Sequence, residues 1–180
     1  MSAKRHNPRP LDPRRLEELA LAYVARFATT QAKLRAYLQR KLRERGWEGE
    51  DEPALDGLVE RYVELGYVDD ETWARMKAGS LLRRGYGSRR IGQALGQAGV
   101  DEDLQVQMQP GETAERQAAL ALARRRRLGP YARDEIDRPM REKHLAAMLR
   151  AGHRLDVARR IVEAQGVDEA EEWADEDIVE

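Results

Sequence analysis

A helix-ending phrase occurs three times at even spacing along this chain of 180 residues. It reads LRERGW to Trp47, LGQAGV to Val100 and LRAGHR to Arg154. The central glycines, Gly46, Gly99 and Gly152, lie 53 residues apart in both intervals. A glycine after an apolar-periodic run is a common helix stop, because glycine enters the left-handed conformation without a steric penalty. Stepping back four residues from each glycine gives Leu42, Leu95 and Met148, and stepping back eight gives Leu38, Ile91 and His144. Positions four apart share one helix face, so the same helix precedes each stop, degenerate at His144. A repeat on the order of 50 residues built from helices is an array of units stacked on their neighbours.

Start and stop signals divide the rest of the chain into nine helices, grouped three by three. Asp12 before Pro13 opens the first, with Leu16, Leu19, Ala20, Tyr23 and Phe27 on one stripe. Thr29 or Thr30 caps the second, and Asp51 opens the third, which carries Leu55, Leu58, Val59, Tyr62 and Leu65. Asp69 opens the fourth, Ser88 caps the fifth, and Asp101 caps a short sixth that Pro110 closes. Thr113 opens a seventh that runs to Leu128 before Gly129-Pro130. The eighth starts at Asp137 or Arg138, and the ninth runs from about Leu155 to Gln165. No segment alternates long enough to form a convincing strand. Trp47, Trp73 and Tyr67 fall at the seams and are expected in the core.

Composition narrows the function. Hydrophobic residues make up 41% and charged residues 36%, a balance that suits thin helical modules with much surface per residue. There is no cysteine, which excludes disulfides and cysteine-based metal or catalytic centres. The opening MSAKRHNPRP lacks an apolar segment behind it, and no stretch approaches ~20 apolar residues, so no secretory signal or membrane span is expected. The formal charge of −1 hides a polarised chain: residues 167–180 hold eight acidic residues and no Lys or Arg, leaving the preceding residues at +7. A basic body with an acidic tail points to a polyanionic or acidic partner, with the tail competing for the same surface or serving as a solubilising extension; Trp173 and Ile178 offer apolar contacts by which part of it could dock as a helix.

Basic clusters supply the candidate contacts. The segment Arg83-Arg84-Gly85-Tyr86-Gly87-Ser88-Arg89-Arg90 ends one helix and begins the next. Its glycines permit close backbone approach, and the first turn of the following helix is expected to present free N–H groups to an anion. Arg89 and Arg90 oppose the helix dipole there. Tyr86 is read first as packing beneath the turn and second as a base-stacking group. Arg124, Arg125, Arg126 and Arg127 close a helix, where some positive charge suits the dipole, but four together exceed what a cap requires. Arg138 and Arg141 add charge in the last third of the chain. His6, His144 and His153 have no metal-ligand spacing, and the acidic runs at Asp69 and Asp101 are explained by capping, so neither a metal, a cofactor nor a catalytic residue is expected.

Two phrases carry a family resemblance. One is LRERGW followed by ELGYVDDETWAR, Glu64 to Arg75; the other is RRGYGSRRIGQALGQAGVDEDL, Arg83 to Leu104. They resemble the RecX family of bacterial regulators of the RecA recombinase, over most of the chain from about Leu16 to Gln165. The resemblance implies an all-α fold of three tandem three-helix modules in an elongated, curved helical-repeat array. The expected division is a flexible basic arm at 1–10, modules at 11–67, 68–110 and 111–166, and an acidic tail at 167–180. The implied function is non-enzymatic: a cytoplasmic, monomeric regulator, mainly an inhibitor, bound in the groove of the RecA–single-stranded-DNA filament. It would modulate ATP hydrolysis, strand exchange and the DNA-damage response, with weak binding to bare DNA. The helix from Thr30 to Gly46 departs from the family in being about one turn longer, with AYLQ as the apparent excess, and the third module is the weakest match. The competing readings are a basic helical DNA-binding protein that acts without RecA, and a nuclease, which lacks any acid–histidine cluster to support it.

Overall fold

The structure is a computed structural model and describes residues 9–176. The basic arm up to residue 8, with His6, and the residues from Asp177 onward, with Ile178, lie outside the described residues. Among the described residues there are ten α-helices and no strand, only an isolated parallel bridge between Leu11 and Trp47. The helices are α1 (Pro13–Arg26), α2 (Gln31–Arg45), α3 (Leu55–Glu64), α4 (Asp70–Arg83), α5 (Ser88–Gly96), α6 (Glu102–Gln107), α7 (Glu112–Arg126), α8 (Arg138–Arg150), α9 (Leu155–Val162) and α10 (Val167–Asp175). The all-helical expectation holds, with one helix more than the nine anticipated: α10, formed within the acidic segment.

Local chemistry explains most boundaries. Asp12 accepts from the Arg15 N–H at 2.7 Å with Pro13 in the first turn, and Asp137 accepts from Met140 N–H at 2.8 Å. The three repeat glycines have φ of +79°, +70° and +95° at Gly46, Gly99 and Gly152, the left-handed stop that their spacing predicted. Several boundaries differ from expectation; α7 starts at Glu112 rather than Thr113, α9 ends at Val162 rather than near Gln165, and three others have a clear cause. α3 begins at Leu55 rather than Asp51, because the Asp51 carbonyl accepts the Trp47 indole N–H at 2.7 Å and Pro53 disfavours helix at the residue before it. Ser88 lies inside α5 and caps nothing; Gly87 holds the cap position, and the Ser88 hydroxyl donates instead to Glu115 Oε1 at 2.7 Å. α7 ends at Arg126, and Leu128 folds back as a buried contact with its N–H on the Ala123 carbonyl at 2.9 Å.

The described chain forms two compact units, one through Trp73 with the return segment Ala98–Val100, the other comprising Ala74–Gln97 and the residues from Asp101 onward. The first is built on α1, α2 and α3 around Leu11, Leu16, Ala20, Leu34, Leu38, Val59, Tyr62 and Val68. The fully buried Thr30 closes it, donating its hydroxyl to the Ala98 carbonyl at 2.6 Å while capping Lys33 N–H. Trp73 is buried, as expected of a seam residue, and Trp47 is half-buried against the core. Tyr67 corrects its expectation: it is 53% exposed, leaning edge-on against Tyr62 rather than filling the core.

The second unit centres on α7, α8, α9 and α10. Its core joins Leu122, Met148, Ile161 and Val162 to a set of alanines, among them Ala119, Ala123, Ala158, Ala170 and Ala174. Alanine on facing helices allows close approach, so a modest apolar content still fills the interior to normal density.

Candidate nucleic-acid interface

The turn between α4 and α5 was the strongest candidate in the chain, and all of it lies in the second unit. Arg83, Arg84, Arg89 and Arg90 are exposed, and no ion pair joins any of them to an acid among the described residues. Tyr86 is half-buried against the second core, with the Arg84 guanidinium 5.3 Å from its ring centre. Packing is therefore its first role, and its remaining face is shared with a cation.

Two expectations about this turn are corrected. Two of the backbone N–H groups at the start of α5 are taken: Gly87 donates to Ala151 O at 3.0 Å and Arg89 to Gly152 O at 3.1 Å. The glycines do not leave room for a ligand either. A side-chain carbon on Gly87 would meet the Gly152 carbonyl carbon at 2.5 Å, and one on Gly85 would meet the Leu122 nitrogen at 2.9 Å. Close approach is used by the protein's own backbone, where the turn between α8 and α9 seats under α5. What the turn offers outward is guanidinium groups, not amides.

His153 completes the seat from below. It is fully buried, and its Nε2 lies 3.1 Å from the Gly85 carbonyl oxygen. Burial lowers its pKa from the ordinary histidine value, opposed in part by the Gly85 contact and by Glu115. His144 is half-buried, as anticipated, with Nδ1 accepting from Gly129 N–H at 3.1 Å and its pKa lowered by burial. No group of three or more His, Cys, Asp or Glu side chains could hold a metal ion among the described residues.

The arginine run divides into two parts. Arg124 is engaged internally: it pairs with Glu171 of α10 at 2.5 Å and sits 5.7 Å from the Tyr131 ring, whose hydroxyl donates to the same carboxylate at 3.0 Å. This hydrogen bond to Arg124 is the largest influence lowering the Glu171 pKa. Arg125, Arg126 and Arg127 are exposed and make no ion pair among the described residues. Arg127 is also the one non-glycine residue with positive φ among those described, at φ 57° and ψ 51°. That conformation costs a side chain about 1–2 kcal/mol where glycine would cost nothing. Arg138 pairs with Glu142 on its own helix at 3.4 Å in full solvent, which leaves it available, and Arg141 has no ion pair among the described residues.

The fold brings the first cluster toward the second, since Gly85 rests on α7 at Ala118 and Leu122, just before the arginine run. Sequence reasoning missed Glu115, a buried carboxylate on α7 that fixes Ser88 in the turn. No local signal marks it. It also left the state of the acidic segment open, although Ala170, Trp173 and Ala174 formed a readable helical stripe.

Residues 69–107 match the family described as RecX, second three-helix domain. The chain is 34% identical over 166 residues to the regulatory protein RecX of Myxococcus xanthus (strain DK1622), covering 87% of this chain and 89% of the relative. It is 38% identical over 104 residues to the regulatory protein RecX of Mycobacterium sp. (strain JLS), covering 57% of this chain. Its fold is similar to the crystal structure of RecX from Lactobacillus salivarius, with a TM-score of 0.66 at 17% identity over 83% of this chain and 94% of that one. A second crystal structure of regulatory protein RecX matches at the same TM-score, with 18% identity over 84% of this chain.

Proposed function

Because this chain belongs to the RecX family of regulatory proteins, we propose that it regulates the RecA recombinase, mainly as an inhibitor, by binding in the groove of the RecA–single-stranded-DNA filament. The observation that carries the reading is a set of exposed arginines without acidic partners among the described residues: Arg83, Arg84, Arg89, Arg90, Arg125, Arg126 and Arg127. Arginine presents a planar fork that pairs with both carboxylate and phosphate, the two anionic groups that a protein–DNA filament displays. Arg127 supports the same reading, since a strained backbone under an unpaired cation is more readily explained by binding than by stability.

The protein acts on this reading as a cytoplasmic monomer without an activity of its own. Modules at 11–67, 68–110 and 111–166 would each contribute weak contacts, which a single linked chain converts into strong overall binding. Occupying the groove would impede duplex entry, ATP turnover and filament growth, and through them strand exchange and the DNA-damage response.

The test is DNA-dependent ATP hydrolysis by the cognate RecA on single-stranded DNA, titrated with this protein in the presence of excess DNA. Inhibition below stoichiometric protein that persists with excess DNA supports action on the filament. The double variant Arg89→Glu, Arg90→Glu should fold normally and inhibit more weakly. Full inhibition by that folded variant removes the turn from the interface. Loss of the wild-type effect on adding DNA would instead favour a basic helical DNA-binding protein acting without RecA.

A further inference from the structure

The first unit carries an aromatic cluster that the regulator reading does not use. Tyr23 on α1 stacks on Tyr37 of α2, with ring centres 4.2 Å apart and planes at 19°. Phe27, just past the end of α1, meets Tyr23 at 5.4 Å with planes tilted by 52°. The inner sides of Tyr23 and Tyr37 pack against the core of this unit, but Phe27 does not join that core and is 48% exposed. It is the chain's single phenylalanine. Burying this ring inward would be the ordinary hydrophobic outcome, so its position in solvent against Tyr23, itself stacked on Tyr37, is informative.

Cations rim the cluster. The Arg26 guanidinium lies 5.4 Å from the Phe27 ring centre, and Arg40 and Lys41 lie 5.5 and 5.9 Å from that of Tyr37. The acid nearby, Glu44, is shared by two of them, at 2.6 Å from Lys41 and 3.6 Å from Arg40. Arg26 has no ion pair among the described residues, so the rim keeps a net positive charge. An exposed ring backed by two half-buried ones and flanked by cations suits an unpaired nucleic-acid strand: a flat surface for a base and positive charge for its phosphates. A duplex, whose bases are already stacked, has no use for the rings.

We propose that Phe27, with Tyr23 and Tyr37 behind it and Arg26, Arg40 and Lys41 around it, forms a stacking platform for the bases of single-stranded nucleic acid. This goes beyond the regulator reading, because it gives the bases, and not only the phosphates, a surface on the first unit, whereas the arginine clusters belong to the second. Sequence preference is not expected, since every base has a π-face.

The experiment compares full-length protein binding to two fluorescein-labelled strands of about 16 nucleotides, oligothymidylate and an abasic oligomer with the same number of phosphates. Wild type should bind the thymidylate about tenfold more tightly than the abasic strand. Phe27→Ala and Phe27→Leu should both remove that preference while leaving abasic binding and the salt slope unchanged. Leucine preserves apolar bulk but not the ring face. Irradiation of a 5-iodouracil-substituted strand should crosslink the peptides carrying Phe27 or Tyr37. Equal affinity for the two strands, full thymidylate affinity in Phe27→Leu, or crosslinks confined to peptides from Arg83–Arg90 and Arg124–Arg127 would overturn the platform. RecA ATP hydrolysis measured with the same variants separates the two readings. Inhibition without base preference sinks the platform alone, and base preference without inhibition sinks the regulator reading alone.

Discussion

His153 and Gly85 are joined across the second unit by a 3.1 Å contact between Nε2 and the carbonyl oxygen. A carbonyl only accepts, so Nε2 carries the proton, and Nδ1 is left buried without a partner among the described residues. Burial disfavours the charged form. Protonation would place a second N–H where nothing accepts it. Together with its burial, this contact pins the α4–α5 turn and its four arginines to the turn before α9.

Acid sensitivity follows. Burial lowers the His153 pKa, so below the ordinary histidine value near 6.5 the unfolded chain takes up a proton that the folded chain refuses. Stability from this group is complete above that value and falls as pH drops below it, by at most about 1.4 kcal/mol per pH unit for one proton. His144 adds the same sign, while Asp70, raised by burial, works the opposite way. Urea unfolding of wild type and His153→Gln between pH 7.5 and 5 isolates the term. Gln can still donate to Gly85 O, and its stability curve should be flatter than that of wild type over this range.

Substitutions at two glycines should separate crowding from backbone strain. Gly87 has an ordinary φ of −83°, yet its added carbon would lie 2.6 Å from His153 N, with backbone on that side unable to yield cheaply. Gly87→Ala should cost about 3 kcal/mol. Gly46 has open space around it, but its φ of +79° with ψ of 173° is backbone that essentially only glycine adopts, so Gly46→Ala should cost about 2 kcal/mol, all of it backbone strain. Equal shifts in urea midpoint would contradict the packing of α5 on the α8–α9 turn.

The acidic helix is structural as well as charged. Ala170 and Ala174 are buried, the Arg116 guanidinium lies 4.8 Å over the Trp173 ring, and Arg116 donates to the Trp173 carbonyl at 3.2 Å. Trp173→Ala should therefore destabilise the protein by about 2 kcal/mol, less than a fully buried tryptophan because one side meets solvent. A thermal midpoint unchanged by this substitution would show that α10 does not stay docked in solution.

Arg127 should exchange stability for binding. Arg127→Gly relieves the left-handed strain and should stabilise the fold by about 0.5 kcal/mol, after glycine's greater freedom in the unfolded chain is offset. The same variant should inhibit RecA less well on the regulator reading. Unfolding midpoints and ATP hydrolysis assays on one preparation check both halves.

Legibility in the sequence followed distance along the chain. The stops at Gly46, Gly99 and Gly152, and the caps at Asp12, Thr30 and Asp137, were readable because each rests on partners within about one helical turn. Arg83, Arg84, Arg89 and Arg90 were readable as a cluster for the same reason. What those arginines stand on was not. Ser88 looked like a cap but is held by Glu115, 27 residues away, and Arg124 looked free but meets Glu171, 47 residues away.

By itself, then, the sequence determined an all-helical chain, its repeat, its basic clusters and its family. These depend on periodicity, on the left-handed freedom of glycine and on charge, all properties of short windows. Only the tertiary structure decided that the Gly87 and Arg89 amides are occupied, that the acidic segment docks as α10, and that Phe27 meets the half-buried Tyr23 from the solvent side. Those outcomes depend on which distant surfaces meet, and packing complementarity between helices is a property of pairs of surfaces, which no single stretch of residues contains.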